Sequence, residues 1–120
     1  MHFYTKPTLA ALLAFTVPSI AQAETLNAQQ VKALTVGKTV SWVTPDGQTK
    51  GYTRYKANGT ATTTVTAPNA FKDSGTWRLE GNQLCSTWQI IRDGREGCST
   101  VRTTTKQGVF RTDTVFLRSQ

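Results

Sequence analysis

The chain has 120 residues, room for one domain, and carries 14 Lys+Arg against 7 Asp+Glu, a formal net charge of +7. Hydrophobic residues make up 38% and aromatics 9%, enough for a small core but too little for a membrane bundle or a large enzyme. The only His is His2 and the only Met is Met1, both inside what reads as a removable leader. The remainder has no imidazole, which excludes His-ligated metal or haem, a His general base, and Ser–His or Cys–His nucleophile pairs.

Residues 1–23 have the three parts of a secretory signal peptide. His2 and Lys6 make a weakly positive start, and Leu9 to Val17 is an apolar run shorter than the ~20 residues a membrane span needs. Pro18 breaks the run, and Ala21-Gln22-Ala23 is a small-x-small cleavage site before Glu24. No second apolar run follows, so no transmembrane segment is expected. Residues 24–120 are expected to form a single β-barrel domain, periplasmic or secreted, with a net charge of +6 once Lys6 is removed. In that oxidising space Cys85 and Cys98 are expected to pair. Such a bond adds about 3 kcal/mol on the chain-entropy view, a large share for so small a domain.

The mature part opens with the only helical pattern. Asn27 is a plausible N-cap, Ala28, Val31 and Leu34 recur at helical spacing, and Gly37 stops the helix. So short a helix is marginal alone and is expected to lie on a sheet or plug one end of it. Strands follow at Thr39–Thr44, Thr49–Lys56 and Thr60–Ala67, punctuated by the turns Pro45-Asp46-Gly47 and Asn58-Gly59. Pro68-Asn69 ends the third strand. Gly75–Glu80 then places Trp77 and Leu79 on one face, and Gly81-Asn82 turns into Gln83–Ile91. Cys98–Lys106, Gly108–Thr112 and Thr114–Ser119 complete eight strands. Consecutive hairpins of this kind favour an all-β, antiparallel, up-and-down barrel, preceded by the short N-terminal helix.

The Asp93-Gly94 turn sets a register problem. A tight two-residue turn there would put Cys85 opposite Arg102 and Cys98 opposite Gln89, roughly 13 Å out of register at strand rise. That is too far for a disulfide. Either the connection is longer and bulged across Ile91–Gly97, with Gly97 supplying the unusual backbone angle, or the bond is absent; the bulge is the expectation.

The stretch Asp73-Ser-Gly-Thr-Trp-Arg-Leu-Glu-Gly-Asn-Gln-Leu-Cys85-Ser-Thr-Trp88, with Cys98 one hairpin on, resembles a family of small secreted proteobacterial proteins of unknown function. Leu34–Val40 and the Tyr55…Asn58-Gly59-Thr60 turn are similar to it as well. The resemblance implies a calycin-like barrel, related to lipocalins and avidins, and brings no activity with it. Gly75-Thr76-Trp77 sits midway along the chain, whereas the comparable motif of lipocalins and avidins is on the first strand.

The carboxylates are few and dispersed. Asp46 and Asp93 sit in turns, Asp73 precedes Ser74-Gly75 where it is expected to bond local backbone, and Glu80 points away from the Trp77/Leu79 face. No pair faces across a cleft as acid–base chemistry needs, so the chain is expected not to be an enzyme and to hold no metal or cofactor. Basic charge is spread evenly along the sequence, which, with an exported location, disfavours nucleic acid. The reading is an exported, monomeric binding module that holds a small apolar or anionic ligand in its barrel. Trp42, Tyr52, Arg54, Trp88 and Arg102 are the candidate contacts. The alternative is an envelope or host-interface factor with a filled barrel, working through protein contacts.

Overall fold

The computed structural model describes residues 23–120; the leader expected over 1–23 lies, apart from Ala23, outside them. The helix α1 spans Ala28–Thr35 and begins where the sequence places it. The Asn27 side chain accepts from the Gln30 N–H at 2.9 Å, and the Gln30 side chain accepts from the Asn27 N–H at 2.9 Å. Two of the helix's orphan donors are thereby satisfied. Eight residues make a rod about 12 Å long, and tertiary contacts hold it at both ends. Its Ala28 N–H donates to Asn82 Oδ1 at 3.0 Å, and the Ser119 hydroxyl donates to the Leu34 carbonyl at 2.6 Å. Gly37, at φ 73°, then turns the chain, and its N–H bonds the Tyr55 carbonyl at 3.0 Å. The helix thus crosses one end of the sheet.

The strands are β1 Thr39–Val43, β2 Lys50–Tyr55, β3 Thr60–Ala67, β4 Phe71–Glu80, β5 Gln83–Trp88, β6 Gly97–Ser99, β7 Arg102–Thr103, β8 Phe110–Arg111 and β9 Phe116–Ser119. All pairings between these strands are antiparallel, in the order β6-β5-β4-β3-β2-β1-β9-β8-β7. Among the described residues the count is nine, not the eight expected. The single strand expected over Cys98–Lys106 divides at Thr100–Val101, and its two pieces occupy opposite edges of the sheet. Val101 is fully buried, so the chain turns into the core there. The N-terminal segment pairs alongside: Leu26 N–H donates to Val101 at 2.8 Å, and Thr103 N–H to Glu24 at 2.9 Å. The result is a curled sheet, a half-barrel. Three peptide steps separate Ser99 from Arg102, so the edges come within ~11 Å at that corner.

Strand alternation sorts the side chains into two faces. The inner face carries Val40, Leu84 and Leu117, which join Leu26, Val31, Leu34 and Val101 in one buried cluster. Trp77, Leu79, Phe110 and Tyr55 pack against it, with Tyr55 and Trp77 edge to face at 6.0 Å. Burial pushes the Tyr55 phenol up to about 12. Inward glycines mark where strands approach each other closely. A Cβ on Gly75 would run into the Thr87 carbonyl, and one on Gly51 would meet Trp42 at 2.9 Å as well as the Thr64 carbonyl.

The connection between β5 and β6 contains a 3₁₀ turn over Ile91–Gly94. Cys85 and Cys98 are direct cross-strand partners, disulfide-bonded with Cα atoms 4.0 Å apart. The unusual backbone does not fall on Gly97. Arg92, Asp93 and Gly94 take φ of 56°, 52° and 76°, while Gly97 lies in β6 with the Arg92 guanidinium packed against it. Two non-glycine residues in the left-handed region cost ~1–2 kcal/mol each. The turn is braced in return. Arg92 Nη2 donates to the Ser86 carbonyl at 2.7 Å, and Arg95 Nε donates to the Arg92 carbonyl at 3.1 Å.

Candidate functional site

The outer face of β2–β4 is a trough whose shape follows from side-chain length. β3 presents the short side chains of Thr62 and Thr64, and the flanking strands present longer ones. Cross-strand register aligns Arg54, Thr62 and Ser74 in one row, and Tyr52, Thr64 and Lys72 in the next. Gln89 and Ile90 close one wall, and the cavity is about 540 Å³. That lies within the usual range for small-ligand sites.

The trough is cationic. Arg54 and Lys72 stand two strands and one row apart, about 12 Å, and neither has a carboxylate partner among the described residues. Arg54 Nε donates to the Thr39 hydroxyl at 3.2 Å, which leaves the rest of its guanidinium to solvent. Tyr52 is 39% exposed and offers both a ring face and a phenol.

The one carboxylate at the trough, Asp73, is committed elsewhere. It points inward, 6% exposed, and accepts from the N–H groups of Ser74 at 2.8 Å, Gln89 at 3.2 Å, and Ile90 and Ile91 at 2.9 Å each. Burial alone pushes its pKa up, but the four N–H donors outweigh that and hold the carboxyl below its ordinary value. The local bonding expected of Asp73 is present at Ser74. Its larger task is to clamp the chain entering the strained 3₁₀ turn.

Behind the trough runs a buried hydrogen-bond relay. Trp42 Nε1, which can only donate, bonds Thr53 Oγ1 at 3.1 Å. Thr53 and Thr63 hydroxyls are 2.8 Å apart, and Thr63 Oγ1 donates to the Tyr52 carbonyl at 3.2 Å. The Tyr52 carbonyl can only accept, so Thr63 spends its proton there and accepts from Thr53; the order is Trp42 to Thr53 to Thr63 to the Tyr52 carbonyl. Every member is satisfied, so the relay stiffens the backbone that carries Tyr52.

The five residues singled out from sequence do not share one site. Tyr52 and Arg54 line the trough together. Trp42 lies on the opposite face, where it lines a smaller apolar cleft of about 220 Å³ with Val65, Pro68, Phe71 and Ile91. Trp88 is buried at 6% exposure. Arg102 is on β7 and pairs with Asp113 at 2.8 Å. Sequence reasoning missed Lys72, Ser74, Thr62, Thr64 and Gln89. Extending the β4 alternation back through Asp73 would have placed Lys72 and Ser74 on the Tyr52 side. Among the described residues, the cluster with metal-ligand chemistry is Cys85, Glu96 and Cys98, and its sulfurs are bonded to each other. No known family pattern, curated protein or solved structure matches the chain.

Proposed function

We propose that the chain is a non-enzymatic, exported binding module that takes a small anionic ligand in the trough of Tyr52, Arg54 and Lys72. The observation that carries this reading is the pair of unpartnered cations above a floor of short hydroxyl side chains. Cations supply attraction, hydroxyls supply neutral hydrogen bonds, and the half-exposed Tyr52 ring accommodates an apolar or ring portion. Asp73 supports the non-enzymatic part, because its lone pairs are occupied by backbone and it has no free partner for acid–base work. The disulfide supports export to an oxidising compartment. We likewise read the curled meander as a calycin-like barrel, a reading supported by its sequential antiparallel pairing. The apolar alternative is weaker, since the cleft beside Trp42 is below the usual size of a ligand pocket.

Calorimetric titration with galacturonate, glucose 6-phosphate and inorganic sulfate tests the proposal. At least one is expected to bind, and Arg54→Ala or Lys72→Ala is expected to weaken it about tenfold or more. Absence of binding by all three, with the fold intact by circular dichroism, would remove the small-anion reading.

A second reading rests on a separate observation. Ile90 is 62% exposed and Phe71 39%, both at the end of the sheet away from α1. Exposed apolar side chains there suit a protein contact in the envelope, with the interior filled.

A further inference from the structure

Of the thirteen basic residues among those described, seven lie in strands, and the fold sets these on the outer face of the sheet. Every Lys and Arg in a strand alternates with the core and points outward. Five of these, Lys50, Arg54, Lys72, Arg111 and Arg118, carry no salt bridge among the described residues. The other two, Arg78 and Arg102, are held by Glu80, Glu96 and Asp113.

Register turns this into a geometry. One row runs Lys72, Thr64, Tyr52, Ser41, Arg118 across β4, β3, β2, β1 and β9. A second runs Lys50, Val43, Phe116, Arg111 across β2, β1, β9 and β8. Arg54 stands in the row on the other side of Tyr52, beside Thr39 and Thr62. Four strand spacings separate Lys72 from Arg118, about 19 Å, and neighbouring rows lie about 7 Å apart. The space between the cations is filled mainly by Thr and Ser. The Arg111 guanidinium carbon lies over the Phe116 ring, 5.3 Å from its centroid. The trough holds only Arg54 and Lys72 of this set, so a small anion leaves Lys50, Arg111 and Arg118 unused.

We propose that this face binds an extended anionic polysaccharide, a chain of sugars bearing carboxylate or sulfate groups, laid across the strands from the trough towards β8. The inference rests on the trough as the anion site and extends it to a polymer. Charge complementarity selects a polyanion, and three features select its class. The hydroxyl-rich spacing between cations suits sugar hydroxyls. A flat anionic membrane cannot touch outward side chains distributed around a curled sheet. Single-stranded nucleic acid is held by stacking platforms, and here Trp42, Trp77 and Trp88 point inward and Phe116 is covered by Arg111, leaving Tyr52 as the half-exposed aromatic with an open ring face among the cations.

The test uses the full mature chain with galacturonate, a length series of oligogalacturonates, and an oligo-dT of matched charge, each at several salt concentrations. Affinity is expected to rise at least about tenfold from the disaccharide, which is shorter than the Lys72–Arg118 span, to the octasaccharide, which exceeds it. The Arg111→Ala/Arg118→Ala double variant is expected to remove that gain and to lower the salt slope by about 1–2, with galacturonate binding in the trough unchanged. Galacturonate binding without a length gain would overturn the polymer and leave the trough standing. A length gain that survives the double variant would overturn the path across β9 and β8. Equal or tighter binding of oligo-dT would overturn the polysaccharide class. If neither monomer nor polymer binds, the trough falls as well. Circular dichroism on each variant guards the fold, and Lys32→Ala on the helix serves as a control for losing a positive charge away from this face, expected to have little effect.

Discussion

Strand β3 uses threonine on both of its faces, and the two sets have nothing else in common. Inward, Thr63 is 3% exposed and its hydroxyl is fully engaged by Thr53 and the Tyr52 carbonyl. Outward, Thr62 is exposed and Thr64 half-buried in the trough floor. The inner hydroxyl is part of what makes the sheet stand. The outer ones are short enough to leave space and polar enough to face water. Threonine's β-branched carbon suits both settings, so composition is silent about which role a given residue has. The same division holds for β4, where Asp73 and Gly75 serve the fold and Lys72 and Ser74 face the trough.

That comparison breaks or sharpens under substitution. The largest effect is expected at Gly75, where an alanine methyl would be driven into the Thr87 carbonyl. Gly75→Ala is expected to lose about 4 kcal/mol in chemical denaturation, whereas Ser74→Ala beside it stays within ~0.5 kcal/mol. Asp73→Asn comes next, at about 2–3 kcal/mol at pH 7, because backbone N–H groups lose a charged acceptor. The pH dependence has a definite sign. A carboxyl held below its unfolded value contributes stability above ~3.9 and loses it as pH falls through the folded value. The stability gap between wild type and Asp73→Asn should therefore narrow on acidification below about pH 4. A gap that stays constant to pH 2 would remove the charged clamp. The smallest contrast lies within β3. Thr63→Val is expected to cost about 1–2 kcal/mol by orphaning the relay, and Thr62→Val close to nothing. Equal losses would dissolve the distinction between the faces.

Local chemistry made much of this fold legible. Asn27 with Gln30 gives a helix start that needs no tertiary information, and Asn58-Gly59 gives a hairpin. The Cys85–Cys98 pair demanded a longer connection than Asp93-Gly94 alone. Longer-range matters were hidden. Asp73 and Ser74 read as lying before the strand that opens at Gly75, because Asp and Ser usually bond local backbone in turns. Here Asp73 is buried by bonds to chain sixteen or more positions away, and β4 begins four residues earlier than Gly75, at Phe71. Thr100-Val101 has no turn signal, and its change of edge is enforced by the burial of Val101 and pairing with Glu24–Leu26. The cationic face was invisible for a related reason. Alternation assigns a residue to a face within its own strand, but only register across strands shows that Lys72 and Arg118 share a row.

The strand order carries a consequence for how the chain assembles. β1 and β9, first and last in sequence, are neighbours in mid-sheet, with Val40 opposite Ser119 and the Gln120 N–H bonded to the Thr39 carbonyl at 2.8 Å. The one break in neighbour order falls instead between β6 and β7. From β1 to β6 every pairing is a local hairpin step, and the disulfide staples the last of them. The β1–β9 seam closes a loop nearly as long as the domain, with the entropy that such closure takes from the chain. Assembly is therefore expected to proceed from a fast, self-sufficient meander to a slow docking of the C-terminal strands. That late step is also the one that brings Arg111 and Arg118 alongside the trough.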